Sequence, residues 1–179
     1  MKKSLGRSAL TLAAATFTLA AASAATPAHA QEILGPDAAA CRAGTTGPSA
    51  LVRIYGFKDR GGNLRVQLYG NNPDQFLAKG NWLKRIELPI VADGDMNVCV
   101  ELPSYGDYAI AVRHDRDANG KSGWNDGGGF SGNPKLSLGN LKPDYEDTSF
   151  AAGQGVVVVD VIMNYRNGLS IKPVVAKRD

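Results

Sequence analysis

The sequence predicts an all-β protein, a sandwich of two antiparallel sheets. Two observations carry the prediction. Apolar and polar residues alternate with a period of two through a series of short runs, and turn signals rich in Gly, Asp and Asn fall between them. The length agrees: setting aside a leader of thirty residues leaves 149 of 179, which suits one domain with one core.

The leader is the first element. Lys2, Lys3 and Arg7 form a basic start, residues 9–25 are small or apolar without charge, and Ala28-His29-Ala30 fits a signal-peptidase site that would leave Gln31 as the new N-terminus. Thr11, Thr16, Thr18 and Ser23 interrupt the run, which argues against a transmembrane helix, and no later segment approaches the ~20 apolar residues that a span needs. Export is therefore expected, to the periplasm first and to the cell surface or medium as alternatives, with no membrane insertion after cleavage. The chain has 20 Lys+Arg and 17 Asp+Glu, and three of the basic residues and none of the acidic ones lie in the leader. The remaining chain is formally neutral, with no electrostatic footprint for nucleic acid and no polybasic membrane patch.

Residues 31–49, rich in Ala, Gly, Thr and Pro, read as an irregular N-terminal arm, and residues 50–179 as the sandwich domain. The strands follow in order. Residues 50–57 place Val52 and Ile54 on one face. Residues 64–69 share Leu64, Val66 and Leu68, and residues 85–90 share Ile86, Leu88 and Ile90. Pro89 lacks a ladder donor, which predicts an edge strand or a bulge there. Residues 96–102 bury Met96, Val98, Val100 and Leu102, which turns Cys99 to the opposite face, where the arm should cross. Residues 108–114 bury Tyr108, Ile110 and Val112, and the Tyr108 hydroxyl can cap the sandwich end after the turn Pro103-Ser104-Tyr105-Gly106. The valine run in residues 155–165 reads as a strand buried on both faces. Asp59-Arg60-Gly61-Gly62-Asn63 joins the first two strands. Asp93-Gly94-Asp95 reads as a hairpin turn, Asn72 to Leu77 as a short helical turn, and residues 121–152 as one long, poorly patterned connection.

Cys41 and Cys99 are an even pair in a chain bound for an oxidising compartment, which reads as a structural disulfide. Two inert thiols or a redox pair are the competing readings, and the missing C-x-x-C spacing argues against redox chemistry.

The most informative motif is Asp115-Arg116-Asp117-Ala118-Asn119-Gly120-Lys121. Oxygen-bearing side chains at alternate positions before a glycine let a short loop curl around a hard cation. Read as a calcium loop, its ligands are Asp115, Asp117, Asn119, the Lys121 carbonyl and Asp126, with Gly120 at the sharp turn. Asp126 is shorter than the usual Glu at the last position, and a strand and a glycine-rich segment flank the loop instead of helices. The competing reading is a solvated turn in which Asp and Asn bond their own backbone while Arg116 and Lys121 offset the charge. Calcium, in a structural role, is the cofactor expected if the loop binds metal.

No residue set establishes a reaction. His114 is the only histidine beyond the leader. Ser104, Ser122 and Ser131 are available nucleophiles, but none sits in a G-x-S-x-G elbow, so His114 reads as a packing or orienting residue. One histidine and two bridged cysteines make a poor zinc set. Gly127-Gly128-Gly129-Phe130-Ser131-Gly132 has neither the helix nor the Lys-Ser/Thr pair of a P-loop, and its glycines are expected to take unusual dihedrals. Trp82, Trp124 and Phe130, with Tyr105, could form a stacking surface for sugars or apolar ligands, or cap the ends of the core.

The chain resembles the bacterial domain of unknown function 2141 family. The resemblance covers residues 51–165 and rests on the opening strand and hairpin of residues 51–69, on Asp74-Gln75-Phe76-Leu77, and on Pro103-Ser104-Tyr105-Gly106-Asp107-Tyr108-Ala109. Its most specific part is His114-Asp115-Arg116-Asp117-Ala118-Asn119-Gly120-Lys121, followed by Gly129-Phe130-Ser131-Gly132-Asn133-Pro134. It implies an exported immunoglobulin- or transthyretin-like sandwich of about seven strands and no assigned activity. The Cys41 and Cys99 pair resembles the alphaproteobacterial branch. The expectation is a non-enzymatic structural or ligand-binding module of the cell envelope, with a carbohydrate or envelope-ligand binder as the alternative and a protein or glycan partner left open.

Overall fold

The computed structural model describes residues 32–174; the expected leader and its cleavage site, and residues 175–179, lie outside the described residues. Eleven strands are present among them: β1 Ile33–Leu34, β2 Ser49–Tyr55, β3 Asn63–Tyr69, β4 Lys84–Pro89, β5 Met96–Glu101, β6 Gly106–Asp115, β7 Gly127–Phe130, β8 Ser149–Ala152, β9 Val156–Ile162, β10 Asn164–Asn167 and β11 Ser170–Pro173. A four-stranded sheet has the order β1-β5-β2-β9, and a seven-stranded sheet the order β11-β10-β7-β6-β3-β4. Ten residues long, β6 pairs with β7 along one half and with β8 along the other. The larger sheet is antiparallel throughout, whereas β1 and β9 run parallel to their partners β5 and β2.

The sheets face each other across one apolar core. The alternation read from the sequence supplies it: Val52 and Ile54, Leu64 to Leu68, Met96 to Leu102, and Tyr108 to Val112 all point inward as their registers require. The β4 strand ends the larger sheet, so Pro89 lies on an edge where a missing donor breaks no ladder. The Tyr108 hydroxyl donates to the Ser104 carbonyl at 2.9 Å and lies 3.1 Å from the Ser104 hydroxyl, closing the turn between β5 and β6. Tyr108→Phe is expected to cost about 1 kcal/mol, read as a lower midpoint in a urea melt with an unchanged slope.

The arm is more ordered than its composition suggests. Strand β1 lies beside β5, and a 3₁₀ turn, Ala38–Cys41, brings Cys41 under the outer face of β5, where its sulfur stands 1.98 Å from that of Cys99. The Asp37 carboxylate accepts from the Glu101 N–H at 2.9 Å and from Lys84 Nζ at 2.6 Å. With the arm above it, β5 is buried on both faces from Met96 to Val100.

The structure corrects four expectations. Asp59–Asn63 and Asp93–Asp95 are not hairpin turns, because each carries the chain from one sheet to the other: β2 pairs with β5 and β9, and β3 with β4 and β6. The same turn chemistry serves either connection; Gly62, at φ 76°, is required because a Cβ there would stand 2.0 Å from the Asp115 carbonyl oxygen. Strand β9 is not buried on both faces. Val159 and Val161 enter the core, but Val158, on the alternate face of the same strand, points outward and is 49% exposed. The connection over residues 121–152 is partly structured, containing β7 and β8. Finally, eleven strands are present where about seven were expected, and the additional ones, β1, β7, β8, β10 and β11, are only two to four residues long.

The outer face of the larger sheet carries a second apolar cluster, and this positions the site. Tyr69, Ala111, Phe130 and Leu136 are buried there, with Phe76, Leu77, Trp82 and Ile171 packed against them. Phe76 sets its ring edge-on to Tyr69 and Tyr145, at 5.3 and 5.8 Å between centroids. The turn read at residues 72–77 is a 3₁₀ turn, Pro73–Gln75, capped by the Asn72 side chain. It folds the β3–β4 connection over the sheet.

Candidate functional site: a groove walled by the acidic loop

Strand register lays out the floor of a groove on that outer face. Arg113 of β6 pairs with Gly128 of β7, which pairs with Asn164 of β10, so these residues form one row on one face. The next row pairs Ala111 with Phe130. Residues 122–126 rise as one wall, and Leu136, Leu138 and Leu141 form another. The enclosed volume is about 300 Å³, at the lower end of the range for small-molecule sites.

The triple glycine explains the floor, and here the sequence reading is corrected again. Of the four glycines in the motif only Gly132, at φ 73°, takes the expected left-handed conformation; Gly127, Gly128 and Gly129 do not have positive φ. They are glycines because of what stands beside them. A Cβ on Gly127 would lie 2.4 Å from the Tyr165 ring, and one on Gly129 would lie 2.7 Å from Val161 Cγ1. Gly128 points the other way and would meet only the Val112 carbonyl oxygen, at 4.0 Å. The groove is open because this central position carries no side chain.

The wall over residues 122–126 is the end of the acidic loop. Asp115 ends β6, is buried, and accepts from Asn119 N at 3.2 Å and Gly120 N at 2.8 Å. Asp117 accepts from Asn119 Nδ2 at 2.6 Å, and Asn119 Oδ1 accepts from Lys121 N at 2.7 Å. Asp126 accepts from Arg116 N at 3.2 Å and Gly123 N at 2.8 Å. Three carboxylate oxygens, one each from Asp115, Asp117 and Asp126, lie within 4.8 Å of one another and could hold a metal ion. Each carboxylate offers about four lone-pair positions, so these bonds leave acceptor capacity. Asn119 and Lys121, the other residues read as ligands, hold the loop in shape through the bonds above.

Arg113 links loop and groove. Its Nη2 donates to Asp115 at 3.2 Å and its Nη1 to the Ser122 hydroxyl at 3.0 Å, while Nε is buried without a partner. Burial lowers the affinity of this guanidinium for its proton, Arg65 nearby adds to the effect, and Asp115 and Asp126 oppose it. On the far side of β7, the Arg166 guanidinium lies 4.3 Å from the centre of the Trp124 ring, a cation–π contact.

His114 is fully buried in the main core. One ring nitrogen, Nε2, stands 2.7 Å from the Gly61 carbonyl, which can only accept, so Nε2 donates; Nδ1 then accepts from the Tyr165 hydroxyl, also at 2.7 Å. The candidate serines lie elsewhere: Ser104 is bonded to Tyr108, Ser122 to Arg113, and Ser131 to Ile110 N and the Thr148 carbonyl. Of the proposed stacking residues, Trp124 and Phe130 line the groove, Trp124 with 70% exposure. Trp82 packs on the second cluster under Arg85, and Tyr105 is exposed; neither lines the groove.

Burial pushes the Tyr165 phenol up to about 12 from an ordinary 10.0. A raised phenol stabilises the fold fully below pH 10 and loses that contribution as pH rises through 12. The loss is on the order of 3 kcal/mol. Alkaline melts between pH 9 and 12 should show this slope in the native chain, and Tyr165→Phe should reduce it, leaving the smaller part due to Tyr55, Tyr69 and Tyr145, whose phenols burial also raises.

The chain matches the family described as an uncharacterized protein conserved in bacteria, DUF2141, over residues 52–160. The chain belongs to this family. No curated protein and no solved structure matches it. The DUF2141 match contains the whole acidic loop, Arg113 and Gly128, whereas Asn164, Arg166 and Ile171 follow it in the chain. Sequence reading found the loop and missed the groove. The signal was the glycine triplet with Phe130 behind it, which marks a strand stripped of side chains as readily as a loop.

Proposed function

We propose that this DUF2141 chain is an exported, non-enzymatic binding module of the cell envelope. Calcium held by Asp115, Asp117 and Asp126 orders the loop that walls its groove. The convergence of those three carboxylates at the foot of the wall carries the reading. Calcium suits them because it takes several oxygen ligands in flexible geometry, and a site of this kind on an extracellular module has a dissociation constant of about 10⁻⁴ to 10⁻³ M. The leader-like N-terminus and the Cys41–Cys99 pair support export. The engagement of both His114 nitrogens with Tyr165 and Gly61, away from every candidate serine, supports a binding role over hydrolysis.

Melting against calcium tests the proposal. With calcium at about ten times its dissociation constant, stability should rise by about 1.4 kcal/mol, and Asp117→Ala should abolish the rise while lowering the metal-free melt by no more than its exposed bonds to Asn119 contribute, about 1 kcal/mol or less. An unchanged midpoint at 10 mM calcium would remove the metal.

One observation favours a carbohydrate instead: the exposed indole of Trp124 at the groove rim. Arg166 already covers one face of that ring, which leaves the other for stacking. Tryptophan fluorescence that stays flat across cell-envelope sugars would exclude this reading.

A further inference from the structure

Resting on the reading of the groove as a binding site, we infer that its ligand is a small amphipathic anion, a carboxylate on an apolar body. The charged end lies toward Arg113 and Arg166, and the apolar body lies over Gly128 toward Leu136 and Leu138.

The two ends of the groove differ in chemistry, and the register fixes which is which. The row through Arg113, Gly128 and Asn164 lies nearer the acidic loop. Arg166, two residues beyond Asn164 on β10, flanks β7 at that same end, on the opposite side from Arg113. The row through Ala111 and Phe130 lies away from the loop, and the leucines of the long connection close over it. The end at Arg113 and Arg166 is therefore the more cationic and the end at Phe130 and the leucines the more apolar, with Gln67 beside Ala111 and Lys142 next to Leu141 as its polar members.

Charge complementarity selects an anion. Among the groove residues three are cationic, Arg113, Arg166 and Lys142, and one is acidic, Asp126. Asp126 keeps its negative charge and Arg113 is paired with Asp115, so the anion is selected chiefly by Arg166 and Lys142 together with the donors Arg113 retains. The Arg113 side chain is 16% exposed, retains donors beyond its bonds to Ser122 and Asp115, and shares the outer face with Arg65. A guanidinium so placed pairs with a planar carboxylate through two parallel N–H bonds. Size sets the seated part: about 300 Å³ holds on the order of ten non-hydrogen atoms at about 30 Å³ each.

Calorimetric titration of the processed chain with octanoate tests the inference, with octanol as the neutral control, in EDTA and again in about 1 mM calcium. Octanoate should bind saturably at one site and octanol at least tenfold more weakly. Gly128→Leu should fill the floor and abolish binding while leaving the melt unchanged, because the position has open space. Arg166→Gln, on an exposed residue, should weaken octanoate about tenfold and leave octanol unaffected; it also serves if Gly128→Leu fails to fold. Equal affinities for acid and alcohol, native affinity in Gly128→Leu, or no saturable binding in either buffer would overturn the inference. The two proposals separate cleanly. Octanoate binding with a melt indifferent to calcium keeps the ligand and discards the metal, and a calcium-dependent melt without octanoate binding does the reverse.

Discussion

Replacing Cys41 and Cys99 together by alanine is expected to lower the unfolding free energy by about 4 kcal/mol. The bridge closes a span of 58 residues, and the unfolded chain regains the freedom of that loop when it is cut. Domains of this size are stable by only about 5–15 kcal/mol, so the loss is a large share of the total. The arm adds to the effect, because Cys41 anchors the segment whose Asp37 carboxylate binds Lys84 and the Glu101 N–H. Urea melts of the double variant and of the native chain under reducing conditions should agree with each other. A shift below about 1 kcal/mol in both would show that the β5 face holds the arm without the covalent link.

Gly129→Val is expected to cost about 3 kcal/mol, and the neighbouring Gly128→Val well under 1 kcal/mol. The contrast follows from two sides of one short strand. At Gly129 a new Cβ meets Val161 Cγ1 at 2.7 Å and the Ile162 carbonyl oxygen at 2.8 Å, and the carbonyl is backbone of β9, so relief requires a strand paired with β2 to shift. At Gly128 it meets open groove. Thermal melts of the two variants decide the matter, and equal losses would show that backbone geometry alone demands glycine at both positions, with no difference between the faces of the strand.

The inward faces were legible because period two leaves little freedom: Leu64, Val66 and Leu68 cannot share a core unless their strand has the register found. The place of Cys99 on the outer face followed from the same count. The pairing of strands was not legible. Asp59–Asn63 and Asp93–Asp95 carry the chemistry of tight turns, and a tight turn between packed sheets looks the same in one dimension as a hairpin. The valines of β9 misled because burial depends on what covers a face, and nothing in Val156–Ile162 records that its outer face is left exposed. For the site, the side chains of Asp115, Asp117 and Asp126 announced themselves by spacing, because one loop holds all three. The groove is assembled from β6, β7, β10 and the long connection, and its defining feature is an absent side chain at Gly128.

The parallel union of β2 and β9 sets Arg53 against Asp160, 107 positions apart. A chain that emerges amino end first therefore exhibits its opening strand long before the neighbour that will shield it has been made. Until then Ser49–Tyr55 has a naked flank of amides and carbonyls, which invites pairing with other copies. Premature termination just short of Val156 should yield insoluble clumps rather than a slightly weakened protein.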